Sequence, residues 1–273
     1  MGAQRNVKLA FGLMCVAWAS APAAAQTAPP LGVVEQFSAL GNSAVTGSTG
    51  AGTVVDGDVG SSPTASISNF PPSSVLLPFA LHLTNDLTVQ QAHTDAIAAY
   101  GALAAQGPGT VLAAQLDGAV LTSGIYSFAG GAADLAALGT LTLNGPGVFV
   151  FQVDSALTAN VGSNVIGSAD PCSVYWRVGT SAVLNGISFR GNVFADASVT
   201  VGSGSNVTGR AIAGTGPTGA VTMAGAGGNT IGGCASLPVS VVAVPTLTTA
   251  GAVSLFLLVA VAGLVAMRRR RAV

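Results

Sequence analysis

A threonine flanked by two apolar residues recurs through the second half of the chain. Four copies read Leu141-Thr142-Leu143, Leu157-Thr158-Ala159, Val199-Thr200-Val201 and Val221-Thr222-Met223. A degenerate copy, Val178-Gly179-Thr180-Ser181-Ala182-Val183-Leu184, lies between the second and third. Thr142 and Thr158 are 16 residues apart, Thr200 lies 16 after Leu184, and Thr222 lies 22 after Thr200, with a Gly-rich insertion (Gly214 to Gly219) between. Alternating apolar and polar positions predict short strands. Their recurrence at roughly one coil length predicts a β-solenoid. Stacked coils would align the threonines in a row, a surface suited to something periodic.

The rest of the chain fits strands with one exception. Residues 31–70 are rich in Gly, Ser, Thr and Val, with short runs such as Ser43-Ala44-Val45-Thr46 and Thr53-Val54-Val55-Asp56-Gly57-Asp58-Val59, until Phe70-Pro71-Pro72 breaks the pattern. Residues 86–105 place Ala92, Ala96, Ala99 and Leu103, with Ile97 and Tyr100, at helical spacing, and Gly107-Pro108-Gly109 stops the run. One helix among many strands cannot build a βαβ sheet. It reads as a rod lying along one side of the solenoid. Strand signals return from Leu116 to Ile231. Asn144, Asn160, Asn164, Asn185, Asn206 and Asn229 recur after the Thr blocks and suit tight corners.

The two ends read as membrane signals. Arg5 and Lys8, the apolar Leu9 to Ala19 and the small residues Ala23-Ala24-Ala25 form a secretory signal over residues 1–25, with a membrane anchor as the alternative. Residues 250–267 are uncharged and about one bilayer span long, and Arg268 to Arg271 place the 268–273 tail inside. Val244, Pro245, Thr246 and Leu247 precede that run within a 237–249 linker. The tetrapeptide, apolar run and Arg cluster resemble the I/V-P-T-L class of bacterial C-terminal sorting tags. That resemblance implies a membrane helix that holds the chain before processing and a sorting protease that removes it. A permanent single-span anchor is the alternative.

Composition narrows the body, residues 26–236. Half the chain is apolar, only 7% is charged, and Gly numbers 37. That is too apolar for disorder and suits narrow coils. All ten acidic residues lie in the body against Arg177, Arg190 and Arg210, a net of −7, which argues against a nucleic-acid partner. Cys172 and Cys234 are an even pair in an oxidising compartment. Either they form a disulfide or they remain buried thiols.

Several segments together resemble the secreted ice-binding protein family of bacteria, fungi and algae. They include Phe37-Ser38-Ala39-Leu40-Gly41, Gly57-Asp58-Val59-Gly60-Ser61-Ser62-Pro63, Ala92-His93-Thr94-Asp95, Gly124-Ile125-Tyr126-Ser127-Phe128 and Gly209-Arg210-Ala211. The most specific are Val148-Phe149-Val150-Phe151-Gln152-Val153 and Cys172-Ser173-Val174-Tyr175-Trp176-Arg177-Val178-Gly179. The resemblance runs in order from about 33 to 234. It implies a right-handed discontinuous β-helix of triangular section with one long α-helix packed alongside. It also implies no cofactor, no metal, no catalysis, and one flat face that binds ice. The chain departs from a regular Thr-X-Thr array, and its insertion Thr215-Gly216-Pro217-Thr218 is unusual.

Thr142, Thr158, Thr200 and Thr222 are expected on one face. Thr180, Ser198 and Thr218, with Ser155, lie at neighbouring positions and extend it or form a second column. Two alternatives stay open: outward threonines that only solvate a sheet, and threonines that face inward with Leu and Val outside. Polysaccharide enzymes on a β-helix need clustered carboxylates. Here Asp56 and Asp58 are the one close pair, in a Gly turn, and His82 and His93 have no third metal ligand beside them in the sequence. The rival to ice is a non-catalytic surface adhesin or structural solenoid that holds glycan or a neighbouring cell.

Overall fold

The computed structural model describes residues 26–237. The expected signal, the sorting motif at 244–247, the 250–267 span and the basic tail lie outside the described residues. Among the described residues no helix is long and apolar enough to cross a membrane.

The body is mostly β, and every strand pairing is parallel. The chain visits three rows of strands in rotation. Phe37–Gly41 belongs to the first row, Ala44–Thr46 to the second and Thr53–Asp56 to the third; Asp58–Ser61 then returns to the first row. The second row is the 7-stranded sheet. The other two rows join into a 14-stranded sheet because Ser188–Ala195 and Asn206–Ala213 each run from the third row into the first.

The order within the rows is not the order of the chain. Phe37–Gly41 pairs with Asn206–Ala213 on one side and Asp58–Ser61 on the other. Ala44–Thr46 pairs with Ala220–Met223, and Thr53–Asp56 with Asn229–Gly232. The first two circuits therefore extend the stack beyond the last one. After them the chain must travel back to the opposite end, where Thr110–Leu112 pairs with Gly124–Phe128.

Helix α1, Leu87–Ala104, makes that journey. Its 18 residues span about 27 Å. The first row, from Asp58–Ser61 to Thr110–Leu112, is roughly 34 Å across at ~4.8 Å per strand. A helix with a short connection at each end is the right length. Asp86 starts it, accepting from the backbone N–H of Thr88 and Val89. Its buried face, Val89, Ala92, Ala96, Ala99 and Leu103, packs on Leu40, Ile125, Val150, Tyr175, Phe194 and Ile212, which point outward from the first row. The first row is thereby covered.

The alternate residues of that row, with inward residues of the third row such as Phe189, fill the interior. Phe151 and Trp176 stack at 3.9 Å between ring centroids, with Tyr126 beyond Phe151 and Phe189 beyond Trp176. Trp176 is fully buried, and its Nε1–H donates to the carbonyl of Arg190 at 3.0 Å. Cys172 and Cys234 are joined by a disulfide, with Cα atoms 5.3 Å apart. The bond ties the loop before Val174–Val178 to the segment after the last strand.

Candidate functional site: a threonine face

The second row carries one register-locked outward column. Its rungs are Asp134, Thr158, Val183, Thr200, Thr222, Thr46 and Ser68 in spatial order. Strand alternation explains which side they take. Leu157, Val199, Val201 and Val221, their flanking residues, are fully buried. The inward alternative for these threonines is thereby excluded. Two positions earlier on each strand runs a column of small residues: Ala132, Ala156, Ser181, Ser198, Ala220, Ala44 and Ser66. The face is thus a ridge of mostly Thr side chains beside a shallow furrow.

The ridge hydroxyls are largely free. Those of Thr158, Thr200 and Thr222 bond to no protein group among the described residues, and Ser68 Oγ donates to Thr46 Oγ1 at 3.2 Å. In the furrow, Ser198 Oγ accepts from the backbone N–H of Ala220 at 3.2 Å, and Ser181 Oγ accepts from that of Ser198 at 3.4 Å. Asp134 is the one charged rung, and Asn160 Nδ2 donates to it at 3.1 Å.

The structure divides the expected site. Thr158, Thr200 and Thr222 share the ridge, and Ser198 lies in the furrow beside them. Thr142 does not join them. It sits on the third row, between Val120 and Ile166. Thr180 is exposed at the corner between the first and second rows, its N–H donating to Ser155 O and its carbonyl accepting from Ala197 N–H. Thr218 is exposed in the 214–219 insertion. That loop is held toward α1 by His93, whose Nε2 donates to Gly214 O at 3.0 Å, and by Asn42.

The third row is a poorer face. One outward column runs Val120, Thr142, Ile166, Arg190, Thr208, Gly232 and Asp56, and a second, two positions earlier, runs Thr140, Asn164, Ser188, Asn206, Thr230 and Val54. Arg190 bonds to the carbonyls of Gly167 and Ala169. Gly232 leaves a notch that no side chain can fill, because a Cβ there would meet Asp56 O at 2.3 Å in a backbone with φ +146°. Charge, notch and apolar rungs leave Thr142 and Thr208 isolated in the first of these columns, whereas the second row keeps four hydroxyl rungs in succession, Thr200, Thr222, Thr46 and Ser68.

The acidic pair and the histidines are used within the fold. Asp58 Oδ1 accepts from Ala80 N–H at 2.7 Å, and its other oxygen faces His82 at 3.3 Å. Asp56 lies outward on the third row. Among the described residues no three His, Cys, Asp or Glu side chains cluster as a metal site.

The family profile described as Ice-binding-like matches residues 39–228. The chain belongs to the Ice-binding-like family. An ice-binding protein of Nostoc sp. (strain HG1) is 36% identical over 228 residues, which cover 80% of this chain and 81% of that protein. Ice-binding protein 1 of Shewanella frigidimarina (strain NCIMB 400) is 33% identical, over 68% of this chain and 24% of its own length. Among solved structures, the ice-binding protein of the Antarctic ascomycete Antarctomyces psychrotrophicus matches with TM-score 0.66 and 33% identity, covering 77% of this chain and 100% of that one. An ice-binding protein from an Antarctic biological consortium matches with TM-score 0.67 and 34% identity, covering 76% of this chain and 92% of that one.

Two ridge members of this Ice-binding-like chain escape a reading of the repeat alone. Thr46 and Ser68 come from the first two circuits, which join the row at its far end. Val45-Thr46 carries half of the same signature, but nothing local shows that it neighbours Thr222.

Proposed function

We propose that the protein binds ice and slows its growth or recrystallisation through the second row, the ridge of Thr46, Thr158, Thr200 and Thr222. The observation that carries the reading is the register that places these residues in one column on a face that no other described element covers. The first row is covered by α1, and the third is broken by Arg190, Gly232 and Asp56. The wound rows are read as a right-handed discontinuous β-helix of triangular section.

Parallel strands repeat the rungs at about 4.8 Å. β-branching holds each Thr χ1 nearly fixed, so the methyl and hydroxyl positions are set before contact. Methyls favour caged water and hydroxyls anchor it. Little side-chain entropy is lost on binding, and weak contacts add along the row. Protein bound in this way leaves the ice front curved between attachment points, which slows growth.

No cofactor or catalytic group enters this reading. Secretion through residues 1–25 would bring the body to the outside, and the 250–267 run with Val244-Pro245-Thr246-Leu247 would hold it at the surface until a protease cuts. The adhesin alternative is weaker, because Tyr126, Phe151, Trp176 and Phe189 are interior and leave no aromatic platform for sugar on the ridge.

The test is thermal hysteresis and ice-crystal shape for the purified chain and its Thr158→Tyr, Thr200→Tyr and Thr222→Tyr variants. A freezing gap with faceted crystals, reduced in folded variants, supports ice contact through the ridge. A gap unchanged in all three variants moves the site to another face. Round crystals and no gap from the folded protein reject ice binding.

A further inference from the structure

We infer that contact is uneven along the ridge: Thr200, Thr222, Thr46 and Ser68 form its working block, Val183 cuts Thr158 off from that block, and Asp134 ends the surface. The inference rests on the ice-binding reading of this face.

The rung order sets the argument. From Thr200 to Ser68, four consecutive rungs carry a hydroxyl. At one end of the block Ser68 donates to Thr46 at 3.2 Å, while the hydroxyls of Thr200 and Thr222 bond to no protein group among the described residues and stay free for water. Val183 has the shape of threonine but neither donates nor accepts. It leaves Thr158 about 9.6 Å from Thr200, two strand spacings away. A water layer anchored at each rung of the block therefore loses an anchor at Val183.

Asp134 closes that end of the ridge by a different means. Asn160 holds its carboxylate in the column, and beyond it Gln115 Nε2 donates to Asp117, which adds a second carboxylate at the same end. A carboxylate orients its own hydration shell strongly, and stripping that shell is costly. Water around Asp134 follows the charge rather than a lattice. The opposite end, at Thr46 and Ser68, carries no charge on the ridge. Half of the working block is thus supplied by the two N-terminal circuits.

Thermal hysteresis of Val183→Thr, Asp134→Thr, Thr158→Tyr and Thr222→Tyr, each checked for an unchanged melting curve, tests the inference. Val183→Thr turns four consecutive hydroxyl rungs into six and widens the freezing gap about 1.5-fold, in proportion to added contacts. Asp134→Thr on that background widens it further. Thr222→Tyr removes most of the gap and Thr158→Tyr little of it. The inference is overturned if Thr158→Tyr is as damaging as Thr222→Tyr, or if folded Val183→Thr gains nothing. A parent protein with no gap at all instead rejects the ice reading beneath it.

Discussion

Thr46 and Thr222 are register partners in adjacent strands, although one stands near the start of the described chain and the other near its end. The ridge is therefore assembled by the fold and not by any contiguous segment.

Thr46→Tyr places a bulky ring in the middle of the hydroxyl block and is expected to cut thermal hysteresis several-fold, with the melting temperature little changed. Thr142→Tyr, on the third row, is expected to leave hysteresis near that of the parent. Both are read in the same freezing-gap measurement, and equal losses from the two would show that the third row shares the contact.

His82 clamps the start of α1 to the first row, and the clamp depends on pH. Its Nδ1 lies 2.9 Å from Asp86, the residue that caps the helix, and its Nε2 3.3 Å from Asp58. The ring also stacks on Phe37 at 5.3 Å. The hydrogen bond to Asp58 raises the imidazole pKa, burial opposes it, and Asp86 adds to the rise. For Asp86, burial pushes its pKa up, but His82 and the N–H groups of Val89 and Thr88 outweigh that and leave it lowered. The imidazolium contribution is complete below about pH 6.5 and fades as pH rises through the raised value. The carboxylate contribution fades as pH falls below about 4 through the lowered one. His82→Gln is therefore expected to lower stability by about 1 kcal/mol near pH 5, with Asp86 partly exposed, and by less above about pH 8. Melting temperatures of both proteins across that range check it, and a constant difference would contradict it.

The disulfide closes a long loop, its cysteines standing 62 positions apart in the sequence. Reduction, or Cys172→Ala with Cys234→Ala, is expected to cost about 2–4 kcal/mol while leaving the threonine ridge in register. Denaturant unfolding with and without reductant measures the cost, and hysteresis below the melting temperature tests the register.

Arg210 is 1% exposed beside that disulfide. It donates to Asn192 Oδ1 at 2.7 Å, to Glu35 O at 2.9 Å and to Cys234 O, while Asn192 Nδ2 donates to Cys172 O at 3.0 Å. Arg210→Met leaves these acceptors buried without their donor and is expected to cost about 3 kcal/mol, read as a lower denaturation midpoint.

The apolar–Thr–apolar blocks disclosed the strands and their alternation, which is a local property, but left open which side Thr158, Thr200 and Thr222 take; the burial of Leu157, Val199, Val201 and Val221 decides it. They misplaced Thr142, whose block has the same composition. The 16-residue step from Thr142 to Thr158 looks like a coil length, yet it leads from the third row through the first to the second. True circuits in the second row vary: 24 positions from Asp134 to Thr158, 25 to Val183, 17 to Thr200 and 22 to Thr222. Corners of different length cause the variation, and a single period cannot describe it. The helix was legible from its apolar stripe and its Gly107-Pro108-Gly109 stop. The pairing of Thr46 with Thr222 was not, because register between distant segments leaves no local mark.

The order of the strands has a consequence for synthesis. Residues 37–41, made early, pair with 206–213, and residues 53–56 pair with 229–232. On a ribosome the first circuits emerge long before the strands they dock against exist. They must wait with unsatisfied edges until nearly the whole body has been translated. Contacts this distant in sequence slow folding and prolong exposure of sticky strands. The circuits that complete the ridge are made before the strands they dock against and find their places only after them.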